Sequence, residues 1–301
     1  MRVLDGARQR AGDTARIARA ASRERELIAG RYEIVSLIGR GGMAEVYAGR
    51  DRMLERQVAI KRPLRELAGD AESSDRLQRE AIALATIDSP HVVGIHDVGF
   101  TPEGVYLVMQ RLYGRTLDAE LTSHGAVSPA RACRIARDIL VGLAAVHAAG
   151  LIHRDLKASN VLLDRGDRSV LLDLGAALHP RRRPLTAPGT VLGTPECMAP
   201  EQLTAAPLDG RVDLFQLGLI LIHLLTGAMA ERAIDPAQLR DMEMPGALRE
   251  VIAQALAPAD SRFANAIEMR RALDLALAAC ALEPIQPAIP RRRTLRWPES
   301  P

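Results

Sequence analysis

The residues richest in chemistry lie between Gly150 and Asp164, in "GLIHRDLKASNVLLD". His153, Arg154, Asp155, Lys157 and Asn160 crowd there between two apolar segments. A solvated turn accounts for one or two such groups, but five of them at the entrance to a core need partners. A second run, "SVLLDLG", carries Asp173 and Gly175 at the end of a strand-like stretch. Two acidic groups and an amide meeting at strand ends supply a few hard oxygens. That suits a magnesium ion whose other positions go to phosphate and water. Each residue alone fits an Asx turn or a similar local bond; all of them in this order favour a phosphate-handling site.

Two upstream stretches add to it. In "IGRGGMAEVYAG", Gly39, Gly41 and Gly42 form a turn between strand-like runs, where glycine lets the backbone approach a phosphate and donate N–H groups. A plain glycine hairpin reads the same way. In "VAIK", strand period two puts Ala59 and Lys61 on one face and Val58 and Ile60 on the other. Such a lysine either meets an anion or snorkels from an edge strand. Glu80, on a helical face with Leu77 and Leu84, favours an ion pair with Lys61.

These groups need two kinds of scaffold. The runs "YEIVSLIG", "EVYAGR", "RQVAIKR" and "GVYLVMQ" predict strands, and "SSDRLQREAIALATIDSP" predicts a helix over 73–87 that Pro90 follows. From residue 128 helices dominate. Ser128 is the expected N-cap and Pro129 the first turn of a helix to about 150, with Ile135, Ile139, Leu143 and Val146 on one stripe. Further helices are expected at 211–227, 247–257 and 264–280. The result is a small strand-rich lobe followed by a larger helical one.

Composition sets bounds on the function. A chain of 301 residues with 48% hydrophobic and 26% charged residues suits a soluble globular protein with room for two lobes. A net charge of +3 gives little attraction for nucleic acid, and none is expected as a partner. Cys133, Cys197 and Cys280 are widely spaced, which fits a reducing cytosol better than a disulfide framework. The greasiest run, "LGLILIHLLTGAMA", is too short to span a bilayer and reads as a buried helix. The first 30 residues lack the apolar centre of a signal peptide, so a cytoplasmic location is expected.

The motifs "VAIK", "HRDLKASN", "DLG" and "GTPECMAPE", in this order, resemble the protein kinases, in particular the eukaryotic-like serine/threonine kinases of bacteria. The resemblance covers about residues 31–283. It implies an α+β, bilobal protein-kinase-like fold, with a small antiparallel-sheet N-lobe (31–112) holding one key helix and a larger, mainly helical C-lobe (113–283). Residues 1–30 would be a basic extension, partly helical or disordered, and 284–301 a disordered Pro/Arg-rich tail.

The resemblance also implies roles. The glycine loop at 39–44 would cover the phosphates of ATP, and Lys61, paired with Glu80, would hold them. Asp155 would take the proton of the acceptor hydroxyl, and Lys157 would steady the transferred phosphoryl group. Asn160 and Asp173 would hold magnesium, with manganese as the alternative ion. The adenine would lie between Ile38, Val46 and Ala59 on one side and Leu162 on the other. Met109 would be the gatekeeper, and the backbone of Gln110 and Leu112 would bond the ring. Glu201 with Arg262 would form a buried ion pair, and Asp213 would steady the catalytic segment.

Protein substrates with Ser or Thr acceptors are the implied partners, with a homodimer forming during autophosphorylation. Arg154 would receive a phosphate from Thr190 or Thr186, whereas Thr194 matches a structural threonine. Three positions depart from the pattern. Ala44 replaces a glycine, Leu174 replaces a phenylalanine, and Cys197 replaces an aromatic; none of them removes a catalytic charge. Two other readings remain: an ATP-binding scaffold with lapsed catalysis, and a kinase for small molecules.

Overall fold

A computed structural model describes residues 26–41, 44–64, 82, 85–102, 104–173, 197–204, 208–229 and 236–282. Gly42, Glu80, Leu174, Gly175, Thr186, Thr190 and Thr194 lie outside the described residues, as do most of the expected helix 73–87, the first 25 residues and the tail.

The first part of the chain is a six-stranded antiparallel sheet. Its strands are β1 (Leu27–Ile28), β2 (Tyr32–Arg40), β3 (Ala44–Asp51), β4 (Arg56–Pro63), β5 (Ile95–Thr101) and β6 (Gly104–Gln110), ordered β1-β2-β3-β4-β6-β5. β4 sits between β3 and β6, so both its edges are paired, and its alternation decides what each face carries. Val58 and Ile60 are fully buried in one apolar cluster with Tyr32, Tyr106 and Val108. Ala59 joins a second cluster on the other face with Val93, Met109 and Val170. That is the division expected from "VAIK", and it puts Lys61 on the face that looks towards the rest of the molecule. β5 was not anticipated. Its pairing with β6 slips between Ile95 and Asp97, which breaks the alternation that marks a strand in sequence.

The second part is helical around a three-stranded sheet of β7 (Gly114–Thr116), β8 (Val161–Asp164) and β9 (Ser169–Leu171). A β-carbon on Gly114 would sit 1.9 Å from the Leu163 carbonyl oxygen, so this tight pairing tolerates no side chain there. The helices are α1 (Leu117–His124), α2 (Pro129–Ala148), α3 (Arg211–Thr226), α4 (Pro236–Asp241), α5 (Gly246–Ala255) and α6 (Ala266–Leu282).

Ser128 caps α2 by accepting from the Arg131 N–H, and the expected stripe Ile135, Ile139, Leu143 and Val146 is buried. α3 is buried on nearly all sides from Val212 to Ile222, and Gly227 closes it in the left-handed region at φ 71°. Fully burying one such leucine or isoleucine contributes about 1.5–3 kcal/mol, so α3 is the axis on which this half is built. Among the described residues no helix is long and apolar enough to cross a membrane.

The turn after β3 is fixed by a buried charge. Asp51 has no exposed surface and accepts from Arg31 at 2.9 and 2.7 Å and from the Met53 and Leu54 N–H groups. The Arg31 hydrogen bonds, helped by those N–H groups and against the cost of burial, lower its pKa from 3.8 to about 2. The stabilisation is therefore full above pH 3.8 and lost as pH falls through about 2. Urea unfolding at pH 5 and pH 2.5 should show Asp51→Asn losing less stability on acidification than the wild type; equal losses would contradict this.

Candidate active site

Three segments converge on one end of the interface between the two sheets. β4 carries Lys61, opposite Val46 of β3 and Leu107 of β6. The segment 151–157, the 3-10 turn Ala158–Asn160 and β8 follow α2 and carry Asp155, Lys157 and Asn160. β9 ends just before Asp173. Its position is held from both sides. Leu171 exchanges backbone bonds of 2.9 Å with His91 and Val93, and the Leu172 N–H donates to the Asn160 carbonyl at 3.0 Å. Asn160, just before β8, and Asp173, just after β9, are thereby brought to the same end of this strand pair.

The charged atoms follow. Lys61 Nζ donates to Asp173 Oδ1 at 3.0 Å, across 112 positions of sequence. Lys61 is mostly buried whereas Asp173 is half exposed, so the pair lies at the boundary between core and solvent. Lys157 Nζ lies 2.8 Å from Asp155 Oδ2. Asn160 Nδ2 donates to the Asp155 carbonyl at 2.8 Å and to its Oδ2 at 3.2 Å. With its nitrogen turned to Asp155, Asn160 has Oδ1 left as the atom that can meet a cation. Among the described residues no three His, Cys, Asp or Glu side chains gather as a resident metal would require. Two oxygen donors, one from Asn160 and one from Asp173, are the share a protein supplies to magnesium already bound to phosphate.

Ala59, Met109 and Val170, with Val46 and Leu112 packed against them, form an apolar patch above these charges. Val170 pairs with Leu162 across β8 and β9, so the patch joins the two sheets. Ile38 is exposed at the rim, and Gly39 lies opposite Val46. The Gly41 N–H donates back to the Ala44 carbonyl at 2.8 Å, closing the glycine turn. The Gln110 N–H donates to the Gly94 carbonyl at 2.8 Å, which leaves the Gln110 carbonyl as its backbone group for a base.

Asp213 organises the segment that leads into Asp155. Fully buried at the start of α3, it accepts from the His153 N–H at 2.9 Å, the Arg154 N–H at 2.8 Å and His147 Nε2 at 2.7 Å. Arg154 itself adopts φ 64°, in the left-handed region, just where the chain passes from these N–H groups to Asp155. Its half-buried guanidinium has its pKa lowered by burial, partly countered by Asp213. Arg154 Nε has no partner among the described residues. Arg262, buried against the Phe215 ring, holds Glu201 through two guanidinium nitrogens.

Sequence reasoning missed a second polar pair. Gln216 of α3 accepts from the Leu156 N–H at 3.0 Å and donates to the Arg154 carbonyl at 2.9 Å. Gln202, in the 3-10 turn Pro200–Leu203, donates to the same carbonyl at 2.8 Å. A lone amide inside "LFQLGLILI" was the available signal.

The "Protein kinase domain" family model matches residues 32–281. The chain is 38% identical over 267 residues to the serine/threonine-protein kinase PknD of Mycobacterium tuberculosis, covering 83% of this chain and 39% of PknD. It is 36% identical over 200 residues to PrkC of Bacillus subtilis, covering 66% of this chain and 31% of PrkC. The chain thus spans well under half the length of these relatives. Among solved structures, the kinase domain of Mycobacterium tuberculosis PknI aligns with a TM-score of 0.67 at 27% identity, covering 83% of this chain and 98% of that domain.

Asp213→Asn would turn an amide N–H towards donors and leave a buried partner unmatched. We expect it to lose about 2–4 kcal/mol of stability, measured by chemical denaturation; a loss below about 0.5 kcal/mol, the level of ordinary surface changes, would contradict the role given to this carboxylate.

Proposed function

This chain belongs to the protein kinase family, with serine/threonine kinases of bacteria as its relatives, and from that premise we propose that it transfers the γ-phosphoryl group of Mg-ATP to Ser or Thr hydroxyls of proteins. The observation that carries this reading is the Lys61–Asp173 contact of 3.0 Å beside an Asn160 already engaged with Asp155. In this reading Lys61 supplies an ammonium, Asn160 and Asp173 the oxygen donors for a divalent ion, and Asp155 the carboxylate base.

In the proposed reaction a bond forms between the acceptor oxygen and phosphorus as the bond from phosphorus to the ADP oxygen breaks. The hydroxyl proton passes to the Asp155 carboxylate, which Lys157 and Asn160 hold in orientation. Lys157 and Lys61 meet the negative charge spread over the phosphoryl oxygens. Magnesium, or manganese in its place, would supply charge neutralisation at Asn160 and Asp173. The adenine would rest on the patch of Val46, Ala59, Met109 and Leu112, with Ile38 at its rim and Leu162 below, and the glycines 39, 41 and 42 would pass over the phosphates. Glu80 would pair with Lys61. The segment Cys197–Leu203 would support the acceptor peptide.

Regulation belongs to the same proposal. Phosphate on Thr190 or Thr186 would pair with the half-buried Arg154, whose lowered pKa reflects burial that such an anion would offset. A second copy of the chain would act as the acceptor, in the cytoplasm.

Lys61→Met, Asp155→Asn and Asp173→Asn should each lower transfer of labelled phosphate by about a hundredfold or more, with Asp155→Asn retaining nucleotide binding. Full transfer by Lys61→Met would contradict the reading. Mass spectrometry after incubation with ATP should find phosphate on Thr190 or Thr186 of the wild type; phosphate on neither would remove the regulatory part.

A further inference from the structure

Asp155 sits between two peptide groups, and both are held by one side chain. The Arg154 carbonyl belongs to the peptide before Asp155 and the Leu156 N–H to the peptide after it. Gln216 bonds the first through Nε2 at 2.9 Å and the second through Oε1 at 3.0 Å. The backbone rotation on either side of Asp155 is therefore clamped from a buried position on α3, where Gln216 is 2% exposed.

The clamp does not end at Gln216. Its second N–H donates to Gln202 Oε1 at 3.1 Å, which also accepts from the Ala199 N–H at 2.8 Å. Gln202 Nε2 then returns to the Arg154 carbonyl at 2.8 Å. Gln216, Gln202 and the Arg154 carbonyl thus form a closed ring. Each of the two side-chain oxygens is occupied, the carbonyl accepts twice, and no polar atom of the pair is orphaned. An apolar residue at 216 would pack as well in α3 but would leave the Leu156 N–H buried without a partner.

Resting on the phosphoryl-transfer reading, we propose that Gln216 and Gln202 are one positioning unit. It sets the direction of the Asp155 carboxylate and makes that direction depend on the segment Cys197–Leu203. Displacement of that segment moves Gln202, loosens the Arg154 carbonyl and turns the peptide plane before Asp155. An acceptor peptide seated on the segment stiffens the same plane. The base is thereby ordered most when its substrate is present.

The test uses the full chain, with Gln216→Met, Gln202→Met and the double variant. Methionine keeps the length and loses all three hydrogen bonds that each amide makes. Steady-state transfer to a generic protein acceptor is measured per nucleotide-binding site, so that misfolded protein does not count as slow protein. Gln216→Met loses both of its bonds to the peptides flanking Asp155, and Gln202→Met loses its bond to the Arg154 carbonyl together with the bond it accepts from Gln216. We expect kcat to fall on the order of tenfold, with KM for ATP unchanged within about twofold. Gln202→Met should also raise KM for the acceptor protein. Because the two amides act together, the double variant should be no slower than the worse single variant.

Unchanged kcat per site in both single variants overturns the proposal, and so do losses that multiply in the double variant. If Gln216→Met does not fold, the half-buried Gln202→Met decides alone by the same split between kcat and KM for ATP. A wild type that transfers phosphate while the variants match it sinks only this inference. A wild type with no transfer sinks the kinase reading and this inference with it.

Discussion

A carboxylate without contact with water, that of Asp213, governs the shape of the segment that carries Asp155. Burying a charge in an apolar helix is tolerable only if donors surround it, and α3 offers none beyond its own first turn. The donors come from elsewhere: the N–H groups of His153 and Arg154 and the ring of His147. Arg154, which supplies the second of these N–H groups, takes a left-handed conformation that ordinarily costs about 1–2 kcal/mol. The bonds to the buried charge, with those from Gln202 and Gln216 to the Arg154 carbonyl, hold the chain in that conformation. Gln216, three positions further along α3, then takes hold of the next two peptides.

The other half of the site depends on strand alternation. β4 is paired on both edges, so its two faces cannot exchange without driving Lys61 into the apolar cluster of Tyr32, Tyr106 and Val108 and taking Val58 and Ile60 out of it. Its Ala59 meets Val170 of β9 across the gap between the sheets, and Lys61, two residues further along β4, meets Asp173, three residues beyond Val170 and just past the end of β9. An apolar contact sets the spacing, and an ion pair closes it. Neither strand could be shifted by one residue without losing both.

Much of this could be anticipated from local pattern. Ser128 followed by Pro129 gave the start of α2, and the alternation of "VAIK" gave the faces of β4, because both signals lie within a few residues. β5 was hidden by the pairing slip near Asp97 and by polar residues in "IHDVGFT". The amide ring escaped for another reason. Gln202 and Gln216 are 14 positions apart, and their shared partner Arg154 is further still, so no window of sequence brings them together. A glutamine in an apolar run marks a buried polar contact but does not name its partner. The contact between Lys61 and Asp173 was likewise legible only as chemistry: two residue types that a phosphate site needs, with no local signal that they touch.

The central claim is that Asp173, held beside Asn160 and against Lys61, forms the magnesium end of a nucleotide site. Calorimetric titration with ADP, with and without magnesium, addresses it without requiring turnover or a known substrate. In the wild type, magnesium should tighten ADP binding, and in Asp173→Asn that tightening should largely vanish while metal-free binding persists. An equal effect of magnesium on both proteins would contradict the account.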